Sequence, residues 1–228
     1  SFDRIDLDFF SREFPGTRVK MTVSPNTLCD LAEGTIFLHG LNFSPKNGLA
    51  YGVEWPQDCQ KVLIRELNKL ICYYLENSVV EESLMLKLPY KDICYRRRSC
   101  DAGNNMVMYD IDGKRWPCHM FLPMSLGEEK SKNVKELDFS GIGKSDVYCD
   151  EECRKCKIEK SCVVCRGMNF SENGTLMGKN ADICTLTKII YRAKGFLAAK
   201  KWQKGLYNNL SLKEEKLLLE AILLCSEL

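Results

Sequence analysis

The sequence lacks any apolar run near the roughly 18–20 residues that a membrane-spanning helix needs. Its first residues, Ser1-Phe-Asp-Arg-Ile-Asp6, have neither the basic start nor the apolar centre of a secretory signal. It has almost no charge imbalance: 33 basic against 31 acidic residues leave +2, so nothing global favours nucleic acid or an acidic surface. There is no internal repeat and no low-complexity tract. The initiator methionine is also missing, and a start at Ser1 is read as a processed or truncated product. The expectation is a cytoplasmic protein with no nucleic-acid partner and no membrane partner.

Cysteine is what the chain has in excess: thirteen residues, an odd number. A cytosolic chain keeps its thiols reduced, so a disulfide framework is the weak reading. Length allows one large domain or two small ones, and 45% apolar residues suffice for a packed core.

The first third reads as alternating strands and helices. Val19, Met21 and Val23 alternate over 18–24, predicting a strand. Ser24-Pro25 is a helix start, with Leu28, Leu31, Thr35 and Leu38 at helical spacing and Gly40 as the stop. A second strand is expected over 49–55, then a helix from about 58 with Val62, Leu63, Leu67, Leu70, Ile71 and Tyr74 as its buried stripe. A third strand is expected over 84–88, closed by Pro89. This order suggests about two and a half parallel β/α units. Beyond it, Asp112-Gly113 between alternating runs predicts a hairpin, with positive φ at both turn positions. Residues 125–147 read as a loop or linker. Helices are expected over 186–204 and after Ser211, where Ser211-Leu-Lys-Glu214 is a capping box.

The cysteines fall in an ordered series: Cys94-x5-Cys100, Gly113-x4-Cys118, Cys149-x3-Cys153-x2-Cys156-x5-Cys162-x2-Cys165, then Cys184. Thiolates two residues apart can turn back on one metal centre. Zinc and iron–sulfur clusters are both open on spacing alone.

Taken together, the series resembles the SPASM domain, the C-terminal extension of radical SAM enzymes that mature peptides and proteins. The Gly113-x4-Cys118 hairpin and the triplet Cys153, Cys156 and Cys162 carry the resemblance most specifically. It covers roughly residues 90–190, and residues 1–89 look like later units of the radical SAM barrel. The implied fold class is α/β: the C-terminal part of a partial (β/α) barrel over 1–89, a small α+β SPASM iron–sulfur domain over 90–190 and helices over 191–228. The resemblance implies one [4Fe-4S] cluster on Cys94, Cys100, Cys118 and Cys165, and a second on Cys153, Cys156, Cys162 and Cys184. It further implies S-adenosylmethionine with a third [4Fe-4S] cluster in an N-terminal half outside this sequence. The implied partners are a peptide or protein substrate, in RiPP-type or sulfatase-type maturation, and a flavodoxin or ferredoxin as reductant. Some members carry an Asp after the hairpin cysteine as a substrate base; here His119 stands there, and histidine can serve as a base. Thr22, Ser24, Glu54 and Trp55, at expected strand ends, are the candidates to line the barrel site. Strand-end capping is the plainer role for Ser24.

Other features have competing readings. The same spacings would serve two structural zinc sites, making the chain a non-catalytic metal-binding or electron-transfer module. Arg96-Arg97-Arg98, between two implied ligands, would raise a cluster's potential or form a solvated turn. Cys29, Cys59, Cys72 and Cys225 fall on helical stripes and are expected in the core. Arg192, Lys194, Lys200, Lys201 and Lys204 read as one solvated helix face, or as a docking surface for an acidic leader peptide. Cys149-x3-Cys153-x2-Cys156 has the spacing of the SAM-cleaving cluster motif. It is rejected because the β/α units lie upstream of it and Lys155 stands where an aromatic is usual.

Overall fold

A computed structural model describes residues 5–78, 80–95, 100–141, 149–162, 164–178 and 180–228. A short helix, α1 (Leu7–Glu13), is capped by the Asp6 carboxylate and leads into β1 (Arg18–Val23). Val19 and Met21 on β1 are half-buried and Val23 is buried, as the alternation requires. The Ser24-Pro25 start is used: a 3-10 turn over Pro25–Asp30 runs directly into α2 (Leu31–Gly40). Leu28, Leu31, Thr35 and Leu38 are all buried.

The second strand differs from expectation. It is β2 (Ser44–Leu49), parallel to β1 with Arg18 opposite Ser44 and Val23 opposite Leu49. Pro45, Asn47 and Gly48 are poor strand formers. Asn47 is nonetheless buried, because its Nδ2 donates to Thr35 Oγ1 at 2.9 Å. The apolar run after it, Tyr51 to Val53, is an exposed bend instead. The third expected strand is a turn whose Ser83 carbonyl accepts from Leu86 N and Lys87 N, both at 2.9 Å. Met85 and Leu86 still reach the core, so this run reported burial rather than strand. Among the described residues there is therefore one parallel β/α/β unit.

The long helix α3 (Cys59–Glu76) packs on α2 and buries Leu63, Leu67, Leu70, Ile71 and Tyr74. After α4 (Tyr90–Tyr95) come the hairpin strands β3 (Met108–Tyr109) and β4 (Arg115–Trp116). The expected linker is largely short helices: α5 (Pro123–Leu126), α6 (Glu128–Lys132) and a 3-10 turn over Asn133–Glu136. Buried Leu126 and Val134 hold it to the core beneath. Then follow α7 (Glu151–Lys155), α8 (Arg166–Asn173), α9 (Ala181–Gln203) and α10 (Leu212–Ser226).

The chain divides into two compact units, residues 1–90 with 182–228, and residues 91–181. Residues 182–190 and the C-terminal helices thus cluster with the first ninety residues. Leu186, Ile190 and Leu197 of α9 join Leu28, Leu31, Leu63 and Leu67 in the core of the first unit. The capping box of α10 forms, with Ser211 N donating to Glu214 Oε2 at 3.1 Å.

The basic run of α9 is only partly a solvated face: Arg192, Lys200 and Lys204 are exposed, whereas the other two lysines turn inward. Lys194 and Lys201 are buried, Lys194 lying 4.7 Å over the Tyr191 ring and Lys201 pairing with Glu82. Long aliphatic stems let a lysine cross apolar surface to reach a partner. Of the four cysteines expected in the core, Cys59 and Cys225 are buried, whereas Cys29 and Cys72 are exposed. No helix among the described residues is long and apolar enough to cross a membrane.

Candidate metal centre

The unit of residues 91–181 is built around a small apolar core of Ala102, Trp116, Cys118, Phe121, Leu126, Val134, Phe170 and Leu176. The hairpin fixes one side of it. Asp110 organises the turn: its Oδ1 accepts from Lys114 N at 2.8 Å and Asp112 N at 3.0 Å, and its Oδ2 from Trp116 Nε1 at 2.8 Å. The Trp116 bond and these N–H groups hold the Asp110 carboxyl below its ordinary range. Positive φ is confined to Gly113, so the turn spans 110–114 and is not the two-residue form expected of Asp112-Gly113. Trp116, pinned in this way, sets Pro117 and Cys118 at the edge of the core.

Two of the implied ligands, Cys118 and Cys100, belong to this core, and a third, Cys165, stands at the start of α8, which abuts the 119–121 turn. Cys118 caps the 3-10 turn His119–Phe121, and Cys165 caps α8. The first N–H groups of a helix lack intrahelical acceptors and turn toward the cap. Those of Met120 and Phe121 act on the Cys118 sulfur, and those of Met168 and Gly167 on that of Cys165. None closes into a full capping hydrogen bond. Burial pushes both thiols up, and the backbone N–H groups pull against it. The charges of Cys100 and Cys165 push Cys118 up further, and that of Cys100 does the same to Cys165. Cys100, Cys118 and Cys165 are thus within charge range of one another. Arg166, itself buried, favours the Cys165 thiolate, and its guanidinium is tied to the Leu176 carbonyl at 3.2 Å.

Two glycines make this approach possible. A Cβ on Gly167 would lie 2.4 Å from Met120 Cβ, so only glycine lets α8 start directly on the 119–121 turn. Gly103, at φ +74°, lies where a Cβ would strike the Phe139 ring at 2.7 Å. Its N–H donates to Pro117 O at 3.0 Å, joining the segment after Cys100 to the one before Cys118.

The remaining implied ligands are placed less closely. Cys94 is buried in α4, and its carbonyl accepts from Lys160 Nζ at 2.8 Å. Cys153, Cys156 and Cys162 are half-buried on successive tight turns: Asp150 caps α7 through Cys153 N at 2.7 Å, Cys156 N returns to Cys153 O, and Cys162 N to Ile158 O. Cys184 lies near the start of α9 and belongs to the other unit. Cys149 is half-buried, just before the Asp150 cap. Among the described residues, no three or more His, Cys, Asp or Glu side chains converge on a single ion position. Arg96, Arg97 and Arg98 lie outside the described residues.

His119 is exposed, and its carbonyl accepts from Ser125 Oγ at 2.8 Å. Thr22 is exposed on β1, while the Ser24 N–H donates to Thr27 Oγ1 at 3.0 Å, which is the plainer capping role. Glu54 is exposed in the bend after β2, and Trp55 is buried with its Nε1 donating to Ala50 O at 3.2 Å. Sequence reasoning did not single out Asp110, Arg166 or Gly103; Gly167, Gly174 and Gly178 read in the sequence as points of tight chain reversal, which holds for Gly174 and Gly178 at positive φ, whereas Gly167 lies in the first turn of α8. Comparison with models of known protein families found no match, and comparison with curated proteins found none either.

Proposed function

We propose that residues 90–190 bind iron–sulfur clusters, as the auxiliary-cluster portion of a radical SAM enzyme that modifies a peptide or protein. The observation that carries the metal reading is the trio Cys100, Cys118 and Cys165. Burial and mutual charge oppose ionisation of Cys118 and Cys165, whereas nearby backbone N–H groups favour both thiolates and Arg166 favours that of Cys165. A bound cation resolves that conflict, because thiol ligands give up their protons on metal binding. A single zinc ion draws its sulfurs to about 2.3 Å on one point, whereas a cluster spreads its thiolates over separate irons. The choice of cluster over zinc rests on the resemblance of the cysteine series. Cys94 is the fourth ligand of this centre that the sequence resemblance implies. Cys153, Cys156 and Cys162, with Cys184, are the implied second set.

A cluster held there supplies one-electron transfer. The chain's own part is to keep water out with Trp116, Phe121 and Phe170, and to offset the thiolate charge with N–H groups and Arg166. The enzyme reading rests on the resemblance of the cysteine series. Thr22, Ser24 and Glu54 carry no assigned step in this reading. His119, exposed beside Cys118, is the candidate proton acceptor for a substrate.

The test is metal content. Protein produced anaerobically should be brown and hold about eight irons with matching acid-labile sulfide. Cys100→Ala and Cys118→Ala should each remove the same half of the iron, and Cys156→Ala and Cys184→Ala the other half. Colourless protein carrying stoichiometric zinc, with no iron after anaerobic reconstitution, would sink the cluster reading and leave a zinc-binding module.

A further inference from the structure

We infer that His39, Tyr74 and Ser83 form an acid-sensitive clasp that holds the 83–87 turn to α3 and loosens when His39 takes a proton. His39 stands in the last turn of α2, and its Nε2 lies 2.8 Å from the Tyr74 hydroxyl on α3. The same hydroxyl accepts from Ser83 N at 2.9 Å. Tyr74 and Ser83 are buried and His39 is half-buried, with the Tyr73 ring stacked on it at 6.0 Å. Ser83 also closes the turn, its carbonyl accepting from Leu86 N and Lys87 N. This turn lies just before the chain passes into the second unit at Lys91.

Counting donors sets the direction of each bond. A tyrosine hydroxyl donates once and can accept twice. Burial pushes the Tyr74 hydroxyl up, so it keeps its proton throughout the neutral range. Ser83 N–H already points at its oxygen, and the acceptor it meets in hydrogen-bond geometry is His39 Nε2, which is therefore unprotonated. A proton on His39 turns that nitrogen into a donor. Two donors then face the Tyr74 oxygen, and the Tyr74 proton must leave His39. Ser83 Oγ is the acceptor in reserve: it is buried without a hydrogen-bond partner, and it acts on the ionisation of Tyr74. Taking up that proton means turning Ser83, the residue that carries the turn. Burial holds the His39 ring below its ordinary 6.5, against the pull of the Phe43 backbone toward the protonated form. Tyr73 and Tyr74 of α3 face the ring. Among the described residues no charged side chain acts on it: Arg12 and Glu13 of α1 pair with each other, Lys46 of β2 is exposed, and Glu82, which acts on Tyr74, pairs with Lys201 of α9. The clasp is thus at full strength above 6.5 and weakens as pH falls below it, because the opened chain takes the proton more readily than the closed one. It stands apart from the cysteine series and does not depend on whether that series binds metal.

Hydrogen exchange of the whole chain tests this, read on peptides covering the 83–87 turn and corrected for intrinsic rates, at about pH 7.5 and about pH 5.5. That window lies above the ordinary carboxylate range, which separates His39 from the Glu81–Lys87 and Glu82–Lys201 pairs of the same segment. Wild-type protection should fall at the lower pH. His39→Gln keeps an acceptor for Tyr74 and cannot titrate, so its protection should be the same at both. Ser83→Ala should match wild type at the higher pH and lose about tenfold more protection at the lower, since the displaced Tyr74 proton then has no acceptor. Wild type holding its protection, or His39→Gln losing as much as wild type, would overturn the clasp. Ser83→Ala losing no more than wild type would overturn the role of its hydroxyl. The wild-type protein gives a reading free of variants: the ring nitrogen resonances of His39 should place the proton on Nδ1 at neutral pH. A proton on Nε2 there would overturn the direction of the Tyr74 bond, and the clasp with it.

Discussion

Gly167→Ala adds one methyl group at the point where α8 meets the 119–121 turn. That methyl would lie 2.4 Å from Met120 Cβ, 3.3 Å from Phe121 Cε2 and 3.4 Å from Met120 Cγ. Carbon atoms rest at about 3.5–4.0 Å, so the two segments must part by about 1 Å or more. Met120 cannot rotate away, because its Cβ is bonded directly to the backbone. Overpacking of this kind costs about 1–3 kcal/mol. Alanine returns up to about 1 kcal/mol through helix propensity, and the first turn takes less of that gain than a helix interior. The net expectation is a loss of about 1–2 kcal/mol. Cys118 and Cys165 each precede one of the two segments in this contact, so on the proposed cluster reading iron retention should fall with it. Gly40→Ala is the control: that glycine ends α2, and a Cβ there meets nothing within 4 Å. It should be neutral or slightly stabilising. Urea unfolding followed by circular dichroism gives the first quantity, and iron per chain after anaerobic reconstitution gives the second. A Gly167→Ala protein with wild-type midpoint and wild-type iron would refute the claim that this close approach builds the centre.

Three further outcomes follow from particular side chains. Lys201 and Glu82 pair with side chains only 10% and 14% exposed, so Lys201→Met alone should cost about 3–5 kcal/mol by stranding the Glu82 charge. Adding Glu82→Gln should restore most of that stability, and a double mutant as unstable as the single one would show that the pairing was not the cause. Burial alone would raise the Glu66 carboxyl, but hydrogen bonds from Lys69, Arg65 and Ala32 N–H hold it below its ordinary value of 4.5. Its contribution is therefore complete above pH 4.5 and lost as pH falls through the lowered folded value. Glu66→Gln should be less stable than wild type by about 1–2 kcal/mol at pH 7 and should lack that acid-side decline; parallel curves at both pH values would refute the assignment. Ser211→Ala should lower stability by about 1 kcal/mol through loss of the α10 cap, read as a shift in urea midpoint with unchanged slope.

The elements legible in the sequence were those whose causes are local. Alternation over 18–23, the Ser24-Pro25 start with its stripe through Leu38, the 59–76 stripe and the Ser211–Glu214 box each depend on residues within a few turns of one another, and all formed. The cysteine series, as a set of residue types at set spacings, was equally plain. Tertiary context decided the rest. Residues 44–49 became a strand because β1 and Thr35 offered Asn47 and its neighbours partners that no local pattern announces. The 84–88 run turned instead of extending, since burial of Met85 and Leu86 satisfied the same apolar residues. Lys194 and Lys201 went inward toward Tyr191 and Glu82, and Cys29 and Cys72 outward, because helical spacing marks a face without saying what covers it. The seating of α8 on the 119–121 turn, and of residue 103 against Pro117, was set by backbone closeness at Gly167 and Gly103. That closeness is a contact between segments dozens of residues apart, and a linear chain states which residues are available for it, not that they will touch.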